Sequence, residues 1–236
     1  MRLPDSYQVN DRKRRIAERI PSRIELGLPD TGFVFCCFNN SYKIAPDMFA
    51  IWMRLLKRTD GSVLWLLQDN ADATRNLASE AERRGVPAGR IVFAPRMLLD
   101  EHLARHGAAD LFLDTLPYNA HTTASDALWA GLPLVTCMGG TFASRVAGSL
   151  LHAAGVPELV AADLDGYESL ALRLASEPAM LADMRSKLAR NRASCPLFDT
   201  ERFRRHIEGA YLTMHEAHQR GAPPAGFGVA PLDDVI

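Results

Sequence analysis

Short, almost unbroken apolar runs alternate along this chain with helical stretches, and that alternation leaves few folds open. Strands are expected at Phe33–Phe38, Val63–Leu67, Ile91–Phe93, Leu111–Leu113 and Leu134–Thr136, with a weaker one near Leu159–Val160. Helices are expected between them at Pro46–Lys57, Ala71–Arg84, Leu98–His106, Thr122–Gly131 and Ala143–Ala154. Pro46 followed by Asp47 marks a helix start, because proline suits the first turn and an acid suits the positive end of the helix. Gly85, Gly107, Gly131 and Gly155 each fall just past a helix and are expected to cap it. Strands apolar at every position need cover on both faces, which a parallel sheet between two helical layers supplies. Right-handed crossovers then predict an α/β fold with an open, doubly wound, Rossmann-like sheet. After Asp163 the pattern turns helical, at Tyr167–Ser176, Ala179–Arg192 and Thr200–Arg220.

This reading divides the chain into a lead-in over 1–30, the Rossmann-like domain over 31–195, a C-terminal helix over 196–220 and a flexible Gly/Pro-rich tail over 221–236. A chain of 236 residues with 47% hydrophobic content can bury one proper core. Its net charge of -1 gives no overall field toward nucleic acid or an anionic membrane, and neither is expected as a partner. The longest apolar runs, such as 62–67 and 132–138, are too short to span a bilayer. The polar N-terminus lacks the apolar core of a secretory signal, so a cytoplasmic location is expected. Cys36, Cys37, Cys137 and Cys195 show no metal-ligand spacing and read as free, buried thiols. The basic run Asp11-Arg12-Lys13-Arg14-Arg15 reads as a solvated helix face or linker, in preference to a phosphate-binding or nuclear-import patch.

Ligands of such sheets sit at the carboxyl ends of the strands. There, Leu116-Pro117-Tyr118-Asn119-Ala120-His121-Thr122-Thr123 leads from a strand into a helix that also carries Asp126. Free N–H groups and the helix dipole make such a terminus an anion site, while Asp126 could accept from a sugar hydroxyl. Plain N-capping by Thr122 or Thr123 explains the same spacing equally well. Asn40 and Lys43 lie in a second strand-to-helix loop, where a lysine could meet a phosphate. His102 and Arg105 share a helix face near Met97, and His102 and His106 are spaced for zinc, but no third ligand is placed. Asp163-Leu164-Asp165 has an acid-x-acid pattern that N-capping explains better. Glycine-rich dinucleotide and P-loop fingerprints are absent, as is a GxSxG nucleophile elbow.

In order along the chain, several runs carry a family resemblance: Asn39-Asn40-Ser41-Tyr42-Lys43-Ile44, Ser62-Val63-Leu64-Trp65-Leu66-Leu67, Arg90-Ile91-Val92-Phe93-Ala94-Pro95 and Asp100-Glu101-His102. They are followed by Asn119-x-His121-Thr122-Thr123, Asp126-x-Leu128-Trp129-Ala130-Gly131, Ala143-Ser144-Arg145-Val146-Ala147 and Pro196-Leu197-Phe198-Asp199-Thr200. Together they resemble the O-linked N-acetylglucosaminyltransferase (O-GlcNAc transferase, SPINDLY-type) family. The resemblance implies one half of a GT-B glycosyltransferase, the half that holds UDP-GlcNAc for inverting transfer to Ser or Thr of acceptor proteins. Leu3-Pro4-Asp5-Ser6-Tyr7-Gln8-Val9-Asn10-Asp11 resembles the segment leaving the other half, which with its tetratricopeptide (TPR) repeats would be the missing partner.

The resemblance also implies roles for individual residues. Lys43 would bind the diphosphate and stabilise the departing UDP, with Asn40 nearby. His121, Thr122 and Thr123 would cradle the diphosphate, and Asp126 would hold the ribose. His102 would pack on uracil, with Arg105 and the backbone near Met97 beside it. Tyr118 stands where animal members have a small cysteine near the sugar's acyl group, and Leu99 where they have a lysine beside the base. No metal or other cofactor is implied, because Lys43 and a helix terminus can stabilise the leaving diphosphate. The alternative is a non-catalytic nucleotide-sugar-binding or docking module; a UDP-sugar epimerase or other GT-B hydrolase ranks last, for want of catalytic acids. An exposed apolar face is expected where the other half would dock.

Overall fold

The computed structural model describes residues 1–232. The sheet has six parallel strands, β1 (Val34–Cys37), β2 (Val63–Leu67), β3 (Ile91–Ala94), β4 (Leu111–Leu113), β5 (Leu134–Cys137) and β6 (Val160–Ala161). Their order is β3-β2-β1-β4-β5-β6. In β1, β4 and β5 every residue is buried, which is why these strands lack the alternation of a half-exposed sheet. β1 pairs with β2 through Val34 opposite Val63 and with β4 through Phe35 opposite Leu111. Winding reverses between β1 and β4, so the loops leaving their carboxyl ends lie side by side and open a crevice.

Helices α1 (Pro46–Arg58), α2 (Ala71–Arg83), α3 (Leu99–Arg105), α4 (Thr122–Trp129) and α5 (Val146–Ala153) connect the strands. α6 (Leu164–Ser176), α7 (Pro178–Asn191) and α8 (Thr200–Gln219) follow. α1 packs on α6, while α3, α4 and α5 form a second contiguous layer. Buried Trp52 of α1 donates to the Tyr167 hydroxyl of α6 at 3.2 Å, and that hydroxyl donates to the Asp114 carbonyl at 2.9 Å. Gly85, Gly131 and Gly155 take the left-handed conformation expected of helix caps, with φ of +74°, +81° and +74°. Gly107 does not cap in this way: α3 tightens into a 3-10 turn over His106–Ala108, and Gly107 lies inside it. Asp163 caps α6, its carboxylate accepting from Gly166 N at 2.7 Å, as N-capping predicts. No helix among the described residues is long and apolar enough to cross a membrane.

The N-terminal segment and the described part of the tail are tied down. Residues 1–30 contain no helix, so the basic run is not a solvated helix face. Asn10 Nδ2 donates to the Leu197 carbonyl at 3.1 Å, and Thr200 Oγ1 donates to the Asn10 carbonyl at 2.8 Å. Arg23 reaches the Asp110 carboxylate at 2.8 Å. Within the tail, Arg2 N donates to Phe227 O and Val229 N to Arg2 O, both at 2.9 Å. The last four residues of the expected flexible tail, 233–236, lie outside the described residues.

Candidate functional site

Two adjoining clefts, about 290 and 300 Å³, share Phe38, Asn40 and Thr123 and form one crevice at the switch between β1 and β4. One end is lined by Asn39, Asn40, Tyr42, Lys43, Tyr118, His121, Thr122 and Thr123. The other is lined by Arg96, Met97, Leu99, His102 and Arg105. Every binding residue expected from the sequence therefore faces this crevice except Asp126.

The first end is built from polar residues that terminate apolar strands. Asp114, just past β4, is fully buried, and its carboxylate accepts from Thr115 N (2.7 Å), Ala120 N (2.6 Å) and Thr136 Oγ1 (2.6 Å). Burial pushes its pKa up to about 7, against the pull of those donors and of Lys43. Asn39, just past β1, donates to Thr115 Oγ1 at 2.8 Å and accepts from Thr123 Oγ1. The β1 and β4 loops are thereby locked to each other and to the first turn of α4.

Lys43 stands over this frame. Its Nζ donates to the Asn119 carbonyl at 2.8 Å and lies 4.1 Å from the centre of the Tyr118 ring. Burial draws its pKa down, and Asp114 opposes that shift. His121 is the N-cap residue of α4, but no side chain caps the helix. The local alternative of capping by Thr122 or Thr123 therefore fails: Thr123 is engaged with Asn39, and the positive end of α4 opens on the crevice. The His121 ring stacks on Tyr118 at 5.2 Å, and its Nδ1 hydrogen-bonds the Tyr7 hydroxyl at 2.9 Å. Its Nε2 is sealed from solvent and lacks a hydrogen-bond partner among the described residues. Burial and then the Lys43 charge lower the His121 pKa, favouring neutral imidazole.

The second end is built from rings. The buried Arg105 guanidinium lies 4.5 Å from the centre of Phe38 and donates to the Pro95 carbonyl at 2.6 Å. Burial brings its pKa down to about 10, so it is still a cation at neutral pH. His102 packs against Phe38 at 5.4 Å and against His106 at 4.8 Å. Burial holds His102 near 4 and His106 near 3, so both are neutral. The His106 ring is buried, with Nδ1 on the His102 carbonyl at 2.7 Å, and no group of three potential metal ligands occurs among the described residues. The two rings meet edge to face.

Asp126 is the exception. Its side chain is only 7% exposed, and it forms an ion pair with Arg14 from the N-terminal segment. Sequence reasoning also missed Tyr7, Arg14, Asn39 and Asp114 as site-forming residues. For Asn39 and Asp114 a signal existed, since each is the first polar residue after an apolar strand. Tyr7 and Arg14 sit in a segment without periodicity. Exposed Tyr42, Tyr118 and Leu99 line the crevice and the exposed Phe142 ring lies 6.3 Å from that of His121, giving the crevice an apolar rim.

Residues 9–207 match glycosyl transferase family 41. The chain is 37% identical to a probable UDP-N-acetylglucosamine–peptide N-acetylglucosaminyltransferase, SEC, of Arabidopsis thaliana, over 98% of this chain and 24% of that protein. It is 39% identical to the UDP-N-acetylglucosamine–peptide N-acetylglucosaminyltransferase of Caenorhabditis elegans, over 89% of this chain and 19% of that protein. The chain thus spans about a fifth to a quarter of these relatives. A mutant O-GlcNAc transferase from Thermobaculum terrenum superposes with a TM-score of 0.76 at 34% identity, covering 81% of this chain and 38% of that one. Sucrose-phosphate synthase from Thermosynechococcus elongatus shares the fold at 17% identity, with a TM-score of 0.62, over 89% of this chain and 52% of that one.

Proposed function

Since the chain belongs to glycosyl transferase family 41, the O-GlcNAc transferase family, we propose that it is the donor-binding half of a protein O-GlcNAc transferase. In this reading UDP-GlcNAc lies along the crevice. The diphosphate meets Lys43 and the N-terminus of α4, the uracil meets His102 and the Met97 backbone beside Arg105, and the sugar extends toward Tyr118. The observation that carries this is the convergence of Lys43 and an uncapped helix terminus on one crevice. Inverting transfer builds negative charge on the departing diphosphate, and a preorganised cation and helix N–H groups stabilise that charge as it forms. They do so without a metal or another cofactor. Loss of one such donor typically lowers the rate on the order of 10²–10³.

The acceptor Ser or Thr hydroxyl would approach over the apolar rim, from a second Rossmann-like half with its TPR repeats, and this chain alone binds donor without transferring it. The four buried free thiols fit a reducing, cytoplasmic setting. Calorimetric titration with UDP, GDP and UDP-GlcNAc tests the reading on the wild-type chain, Lys43→Ala and His121→Ala. UDP-selective binding weakened by both substitutions supports it. A folded chain that binds none of the three overturns it. Adding a first-half partner then separates a transferase from a binding module, because the module binds donor and transfers nothing.

A further inference from the structure

We propose that Arg14 is a positioning residue for Asp126, so that the N-terminal segment sets how strongly the nucleotide site selects for ribose hydroxyls. This inference rests on the donor-binding reading above. Arg14 Nη1 pairs with Asp126 Oδ1, and Arg14 Nη2 lies 3.3 Å from Ser125 Oγ. Trp129 Nε1 donates to the Arg14 carbonyl at 3.2 Å, and the guanidinium lies 5.5 Å from the centre of the Trp129 ring. The Arg14 and Asp126 side chains are 11% and 7% exposed. The segment itself is held by Asn10, which bonds Leu197 and Thr200. Arg14 is therefore fixed on α4 by contacts at both its main chain and its side chain.

Asp126 does not itself line the crevice, but it lies one turn beyond Thr123, which does, and shares its helix face. A carboxylate can accept several hydrogen bonds. Oδ1 is committed to Arg14, while Oδ2 has no hydrogen-bond partner among the described residues and the side chain keeps 7% of its surface exposed. Oδ2 is the atom left for a ribose hydroxyl. Burial favours the neutral acid, and Arg14 opposes it, keeping the side chain a stronger acceptor. The planar guanidinium fixes orientation as well as charge, which an ammonium does less well.

The test compares affinity for UDP and for 2′,3′-dideoxy-UDP in the wild-type chain, Arg14→Ala, Arg14→Lys and Asp126→Asn, with thermal unfolding of each. The wild type should prefer UDP by roughly 10–100-fold, the range of a hydrogen bond to a charged group. Arg14→Ala should lose most of that preference while its affinity for the dideoxy nucleotide stays within about twofold. Arg14→Lys should fall between. An undiminished preference in Arg14→Ala overturns the proposal, as does tighter UDP binding, which would make Arg14 a competitor of the ribose. If Arg14→Ala does not fold, Arg14→Lys decides by the same criterion: a reduced preference supports the proposal and an unchanged one overturns it. Asp126→Asn distinguishes the two levels. Full preference retained there, or no UDP binding by the wild type, removes the ribose-site reading and this inference with it.

Discussion

At one end of the crevice Lys43, His121 and Thr123 are placed by hydrogen bonds to the Asn119 carbonyl, the Tyr7 hydroxyl and Asn39, whereas at the other end Phe38 and His102 meet as tilted rings and Arg105 lies over Phe38 while donating to the Pro95 carbonyl. The first end offers charge and directed N–H groups to an anion. The second offers flat rings beside the Arg105 guanidinium. Substitutions should therefore act differently at the two ends, steeply and with ligand selectivity at the first, mildly and without it at the second. The largest effect should come from Asp114, around which the first end is wound. Asp114→Ala strands donors at Thr115, Ala120 and Thr136, each left unsatisfied at about 1–3 kcal/mol, and should cost on the order of 3–5 kcal/mol. Denaturant unfolding measures this directly, and a loss below about 1 kcal/mol would show that the loops hold without it.

Lys43→Ala should come next, weakening UDP by about 10–100-fold and leaving uridine, which lacks phosphate, almost unchanged. Equal losses for UDP and uridine would place Lys43 outside the phosphate site. His102→Ala should lower UDP and uridine affinities together, by about 2–10-fold, as loss of a stacking contact does. A loss confined to UDP would erase the distinction between the two ends.

The pH dependence of stability should separate the ends by sign. Asp114 has a folded pKa near 7, raised from its usual value, so its contribution is fully present below pH 4 and is lost as pH rises toward 7. His102 and His106 have folded pKa values near 4 and 3, so their contribution is present above pH 6.5 and is lost as pH falls toward 3. Asp114→Asn should remove the decline in stability on raising the pH, and His106→Leu should reduce the decline on lowering it. Unfolding curves between pH 4 and 7.5 read both.

Why the sequence showed one part of this arrangement and hid another follows from the same physics. β1, β4 and β5 were legible because strands buried on both faces must be apolar throughout, and most helix ends because Pro46, Asp163 and Gly131 have local conformational roles. Asn40, Lys43 and the His121 loop were legible because loops at strand carboxyl ends converge whatever the rest of the chain does. Arg14 and Tyr7 were not, since nothing periodic surrounds them and only distant contacts, such as Asn10 with Leu197, decide where the segment lies. Asp126 was half legible: its helix position was plain, but its burial depends on the unforeseen Arg14. Gly107 shows the limit of cap reading, because a glycine after a helix can also sit inside a closing 3-10 turn.

The smallest expected effect concerns Leu99, which lines the second, ring-built end and is 53% exposed. An exposed leucine there contributes little packing to lose. Leu99→Lys adds a donor beside the ring-built end, where a base carbonyl could accept from it. A single new hydrogen bond in a partly hydrated position should tighten both UDP and uridine by about 2–5-fold. The flexible side chain must be ordered to make the bond, which keeps the gain small. Added salt should erase whatever part of the gain for UDP is long-range attraction to phosphate. The gain for uridine should survive salt, because it depends on contact with the base. A gain for UDP alone that vanishes in salt would mean that the new charge acts at the phosphate end, and the two ends would then share one electrostatic field.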